Sequence, residues 1–116
     1  MENLVTSHCQ HYDKGMPPLD EENTAILLSE LTDWVLDRDK KSISRCFRFR
    51  DYYQTIAFVN ATAWISHTED HHPNLEISYN RCNVTFSTHS VGGLSRNDFI
   101  CAAKFNAVLP INDSTP

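Results

Sequence analysis

Residues 74–88 constrain the fold of this chain more than any other stretch. Leu75, Ile77 and Tyr79 alternate with Asn74, Glu76, Ser78 and Asn80. After a turn near Asn80-Arg81, the alternation resumes through Cys82, Val84, Phe86 and Thr88. A period of two marks a half-buried strand, so two such runs across a short turn predict a β-hairpin. Ile43, Phe47 and Phe49, set against Ser44, Cys46, Arg48 and Arg50, predict another strand from Ser42 to Arg50, with Arg45 interrupting its apolar face. Trp34-Val35-Leu36 reads as a short strand ahead of the charged turn Asp37–Lys41.

Between these strands the period lengthens. From Asp51 to about Asp70, Tyr52, Ile56, Val59 and Ala63 make one helical stripe, and Tyr53, Ala57, Asn60 and Trp64 an adjacent one. Pro73 should stop this helix and push His72 into an extended conformation. Asp20 can cap an earlier helix carrying Ile26, Leu27, Leu28 and Leu31, with Leu19 as its hydrophobic staple. Ser95-x-x-Asp98 has the form of a capping box and opens a last helix with Phe99, Ile100, Ala103 and Phe105, closed by Pro110. The order α-β-β-α-β-β-α predicts an α+β fold: a four-stranded antiparallel sheet with helices packed on one face. The two stripes of the central helix exceed what one small sheet can cover, which predicts self-association.

Residues 1–18 carry no sustained period, end in Met16-Pro17-Pro18, and read as a flexible N-terminal arm. One domain then spans 19–110, followed by a C-terminal tail, 111–116. With 10 Lys+Arg against 15 Asp+Glu the net charge is −5, which disfavours direct binding to nucleic acid. No apolar run is long enough to span a bilayer, and the first residues show neither a basic n-region nor an apolar h-region. These features predict a cytoplasmic protein whose four cysteines stay reduced.

Four of the six histidines, His67, His71, His72 and His89, fall at the end of the central helix and the end of the hairpin. The topology lets these two places meet at one rim of the sheet. Three readings stand. His67-x-x-x-His71 has metal-ligand spacing, with Glu69 and Asp70 nearby, but Thr68 stands where a zincin carries Glu, and no third ligand is preset. His8, Cys9 and His11 form a weaker set of the same kind. Alternatively, the histidines decorate a polar helix end, where the dipole suits them. In the third reading they are catalytic, because imidazoles can give and take protons near neutrality. Without a Ser or Cys nucleophile beside them, elimination or hydration fits better than acyl transfer. Spacing alone names no substrate.

Asp70-His71-His72-Pro73, then Tyr79, then Ser87-Thr88-His89, then Leu94-Ser95-x-x-Asp98, resembles the signature of the pterin-4a-carbinolamine dehydratase family. Trp34 and Asp51-Tyr52 fit the same pattern, and the likeness runs over roughly residues 19–109. Two positions depart from it: His67 stands where Glu is frequent, and Leu75 where an aromatic is frequent. The resemblance implies dehydration of a 4a-hydroxytetrahydropterin to quinonoid dihydropterin. It makes His71 and His89 the acid–base pair and His72 the residue that positions the pterin. Asp70, Ser87, Thr88 and Ser90 would bind the ring beside the three histidines. Asp98 would chiefly cap the last helix and support the site indirectly, while Trp34 would pack behind it. No metal and no bound cofactor is implied, since the pterin is itself the substrate. A homotetramer or homodimer is implied, working beside a phenylalanine-type hydroxylase. The alternative class is an interaction module, since animal members of the family also act as dimerisation cofactors of a transcription factor.

Overall fold

A computed structural model of the chain describes residues 3–109; the expectations for Pro110 and the tail 111–116 lie outside them. Alternation along β4 (Arg81–Phe86) sends Cys82, Val84 and Phe86 to one side, where all three are buried. On one flank, β3 (Asn74–Ser78) pairs antiparallel with Leu75 opposite Val84. On the other, β2 (Ile43–Arg48) sets Ile43 opposite Phe86 and Phe47 opposite Cys82. β1 (Val35–Leu36) pairs with β2, giving the order β1-β2-β4-β3. With α1 (Glu21–Ser29), α2 (Tyr52–Glu69) and α3 (Arg96–Asn106), the chain has the expected α-β-β-α-β-β-α order.

Aromatic side chains join the layers. Phe58 of α2 lies 4.5 Å from Phe47, and Phe105 of α3 lies 5.0 Å from Phe86, centroid to centroid. Truncating such a buried ring to Ala costs roughly 3–5 kcal/mol. Arg45 shares the core-facing side of β2. Its charge stays satisfied at the rim, where the guanidinium sits 4.4 Å from the Phe47 ring centroid and donates to Asn106 Oδ1 at 2.7 Å.

The central helix turns a different face inward from the one its hydropathy suggests. The face on the sheet carries Thr55, Phe58, Thr62 and Glu69, while Tyr53 and Trp64 from the expected stripes are 81% and 69% exposed. Threonine is tolerated inside because its hydroxyl bonds back to its own helix: Thr62 Oγ1 donates to the Val59 carbonyl, and Thr55 Oγ1 to those of Asp51 and Tyr79. α2 ends where expected, ahead of Pro73. It stops at Asp70, which takes the left-handed conformation (φ 53°, ψ 45°), while the His71 N–H bonds back to the Ser66 carbonyl. Among residues other than glycine, short polar ones such as Asp adopt it most readily.

Residues 3–18, expected as part of a flexible arm, run instead as a strap along α3. Leu4 is buried in the core within a single 3₁₀ turn, Leu4–Thr6. Lys104 Nζ donates to the Val5 carbonyl at 2.9 Å, and the Gly15 N–H to the Ser90 carbonyl at 3.0 Å. Asn97 holds Gln10 from both sides, accepting its N–H at 3.0 Å and donating to its carbonyl at 2.7 Å.

Candidate active site

The left-handed turn at Asp70 swings the chain off the helix axis, so His71 and His72 leave α2 toward the end of β4. His89 arrives from the opposite side. It does not end the strand, as expected. β4 stops at Phe86, and His89 opens a 3₁₀ turn, His89–Val91, that a bridge between Thr88 and Gly93 draws back. Gly92, at φ 67°, supplies the left-handed residue that closes this turn.

These elements enclose a cavity of about 540 Å³ lined by Asp70, His71, His72, Asn74, Thr85, Ser87 and His89. A second lobe of about 340 Å³ shares Asp70, His71 and His89 with it, and is walled by Thr88, Ser90, Asn97 and the strap residues Cys9–Tyr12. All seven expected substrate-binding positions line one lobe or the other. Thr88 contributes little polarity to its lobe, because its hydroxyl is committed to Ser95 at 2.6 Å and to Asp98 at 2.8 Å.

His71 is the most constrained of the histidines. Its ring lies nearly parallel to Phe86, with centroids 5.7 Å apart, and its Nε2 is 2.6 Å from Asp98 Oδ1. Asp98 is fully buried; its other oxygen accepts the Ser95 N–H at 2.9 Å, completing the capping box of α3. One carboxylate therefore both caps the helix and orients the imidazole. An ionised carboxylate only accepts, so Nε2 is the donor in this contact, and Nδ1 has no partner among the described residues; in the neutral ring it is Nδ1 that carries the lone pair. The rings of His72 and His89 have no hydrogen bond among the described residues, which leaves both free to meet a ligand.

His67 stays outside. It lies on the exposed side of α2 with its ring centroid 5.1 Å from that of Trp64, and α2 ends before His71, so the two do not share a helical face. Among the described residues, no group of three or more His, Cys, Asp or Glu side chains is placed to hold a metal. Trp34 is outside as well. It donates from Nε1 to Asn106 Oδ1 at 2.8 Å and backs Phe86, the ring on which His71 stacks.

Asn74 and Thr85 line the cavity without having been singled out from sequence, although they were legible there. They are cross-strand partners, and alternation had already turned both away from the core. Glu69 had been considered only as an oxygen ligand. It is buried, accepting the Cys9 N–H at 2.7 Å and the His8 Nδ1–H at 2.9 Å, with Lys104 Nζ at 3.7 Å. Burial pushes its carboxyl up, but the Cys9 and His8 hydrogen bonds and the Lys104 charge outweigh burial, so it lies below the ordinary carboxyl value.

A family model described as Pterin 4 alpha carbinolamine dehydratase matches residues 17–108. A Nitrosospira multiformis relative named as a pterin-4-alpha-carbinolamine dehydratase is 48% identical over 111 residues, covering 96% of each chain. A Stenotrophomonas maltophilia relative of the same name is 58% identical over 105 residues, covering 90% of each. A Brucella melitensis crystal structure described as a transcriptional coactivator/pterin dehydratase superposes with a TM-score of 0.76 at 33% identity, covering 78% of this chain and 97% of its own. The chain belongs to the pterin-4a-carbinolamine dehydratase family, a family of hydro-lyases.

Proposed function

We propose that the chain dehydrates 4a-hydroxytetrahydrobiopterin to quinonoid dihydropterin by histidine acid–base catalysis. The observation that carries this reading is the His71–Asp98 pair facing a cavity that His72 and His89 also line. In the reaction the C4a–O bond breaks and the oxygen leaves as water. N5 gives up its proton, and its electron pair forms the C4a=N5 bond. His71 suits the base, because Asp98 holds Nε2–H and leaves Nδ1 to take the N5 proton. His89 then serves as the acid that protonates the departing hydroxyl. Each such transfer contributes roughly 10²–10⁴-fold. His72 positions the pterin, while Asp70, Ser87 and Asn74 offer partners for its ring donors and acceptors. The pterin is the substrate, and no metal or further cofactor takes part.

In this reading the enzyme returns pterin to a phenylalanine-type hydroxylase in the cytoplasm and works as a homo-oligomer, a tetramer or dimer. Support for assembly comes from the outward face of α2, with Tyr52, Tyr53 and Trp64, and from the exposed Ile77 and Tyr79 at the β3 edge. Those faces also support a second reading, an interaction module, which the description of the Brucella structure as a coactivator favours. One measurement separates the two. The decay of enzymatically generated 4a-hydroxypterin is followed by ultraviolet absorbance, with and without the protein. Acceleration above the buffer rate is expected; its absence would leave the interaction module.

A further inference from the structure

We propose that the second lobe is the subsite for the substituent at C6 of the pterin, with Tyr12 as its specificity residue. This rests on the dehydratase reading. Both lobes share Asp70, His71 and His89, so they meet at the groups assigned to proton transfer. In a 4a-hydroxypterin, C4a and C6 are both bonded to N5. A substituent on C6 therefore leaves the ring one bond beyond the atom that gives its proton to a histidine. With the pyrimidine half against Asn74 and Ser87, that substituent crosses the histidines into the lobe beyond them.

The lobe is built for a polar, short chain. Tyr12, Gln10 and Ser90 are among the residues that line this lobe, and none of their side chains has a hydrogen bond among the described residues. His11 bonds instead to Asp13 at 3.0 Å, with its side chain 84% exposed. The strap is a fixed wall. Glu69 grips Cys9 and Asn97 grips Gln10, and each anchor precedes a site residue by one position, Asp70 and Asp98 respectively. A wall held this way places its side chains well enough to discriminate between substituents. The matched part of the family model begins at residue 17, so these contacts belong to a segment outside it.

The test compares two substrates, the 4a-hydroxy adducts of tetrahydrobiopterin, which carries a dihydroxypropyl group at C6, and of 6-methyltetrahydropterin. The unaltered chain should prefer the first by kcat/KM. Tyr12→Phe should lower that preference roughly 3- to 10-fold, the worth of one hydrogen bond, through KM with kcat retained. Gln10→Ala should move it in the same direction. An unaltered chain without preference, or a ratio unmoved in both variants, would overturn the proposal. So would equal losses on both substrates, which would make the strap merely structural. Failure of the unaltered chain to turn over either substrate would instead remove the dehydratase reading, and this proposal with it.

Discussion

His71 and Asp98, 27 residues apart in the chain, are joined by a 2.6 Å hydrogen bond that ties the end of α2 to the start of α3. The carboxylate accepts from His71, Thr88 and the Ser95 backbone at once, so its hold on the imidazole and its cap on the helix are separable only by choice of substitution. Asp98→Asn keeps the shape but removes the charge that makes Nε2 a donor; kcat should fall roughly 10²-fold with the fold retained. Asp98→Ala should also melt earlier, losing about 1–2 kcal/mol with the cap. Steady-state kinetics and thermal unfolding of both variants check this. An Asn variant with full kcat would make Asp98 a cap alone.

His71→Ala and His89→Ala should each lower turnover roughly 10²–10⁴-fold, with unfolding midpoints little changed for His89. The double variant should lose less than the product of the singles, because both groups serve one transition state. His72→Ala should raise KM more than it lowers kcat. His67→Ala, altered beside Trp64 on the far side of α2, should keep its rate. Strictly multiplicative losses, or a His67 variant as slow as the His71 variant, would contradict the assignment.

The Glu69 anchor sets a pH dependence for the strap. Its carboxyl, facing His8, Lys104 and the Cys9 N–H, is lowered from the ordinary value of 4.5 on folding. A group depressed on folding stabilises fully above its unfolded value and loses that contribution as pH falls through its folded value. Glu69→Gln should therefore be less stable than the unaltered chain at pH 7, with the gap closing below about pH 4.5. Unfolding midpoints across pH 3–7 measure it. A constant gap would show that charge plays no part.

Thiol reactivity should follow burial. Cys82 is pushed up to about 11 by burial and by nearby Cys46. Cys101 is pushed far above the ordinary thiol value by its contact with Cys9, 3.5 Å away, and by burial. Cys46 is exposed. In native protein near pH 8, iodoacetamide should modify Cys46 first and leave Cys82 and Cys101 intact until denaturant is added, since the thiolate is the reacting form. Mass spectrometry of the adducts would show the order, and early labelling of Cys101 would mean that the strap opens.

If the proposed homo-oligomer uses the exposed face of α2, Trp64→Arg should lower the sedimentation mass without lowering the helical signal. An unaltered chain that already sediments as one copy at tens of micromolar would remove the oligomer.

What the sequence disclosed depended on how directly each element encodes itself. The hairpin was legible because Cys82, Val84 and Phe86 alternate along one strand and all face inward. The inward face of α2 was not, because two threonines and a glutamate there are satisfied by bonds that hydropathy does not register. The end of α2 was legible near Asp70, but the left-handed turn that makes it was not, because an aspartate does not announce that conformation as a glycine would. Likewise the strap: one buried leucine and a series of backbone hydrogen bonds leave no period. At the site, His71, His72, His89 and Asp98 were readable from their spacing and resemblance. Tyr12 was not, since nothing near it in sequence indicates what it faces.

The strap also carries a consequence for how the molecule comes into being. Its anchors lie 60 residues downstream at Glu69, 87 at Asn97 and 99 at Lys104. Contacts so distant along a chain form slowly, because a long loop must close before any of them is rewarded. On the ribosome, the strap emerges before all three anchors, and two of them wait for the last helix to follow it out. The strap is thus made before the elements that hold it and fastened only after α3 has formed, so the candidate cavity acquires its second wall late in folding.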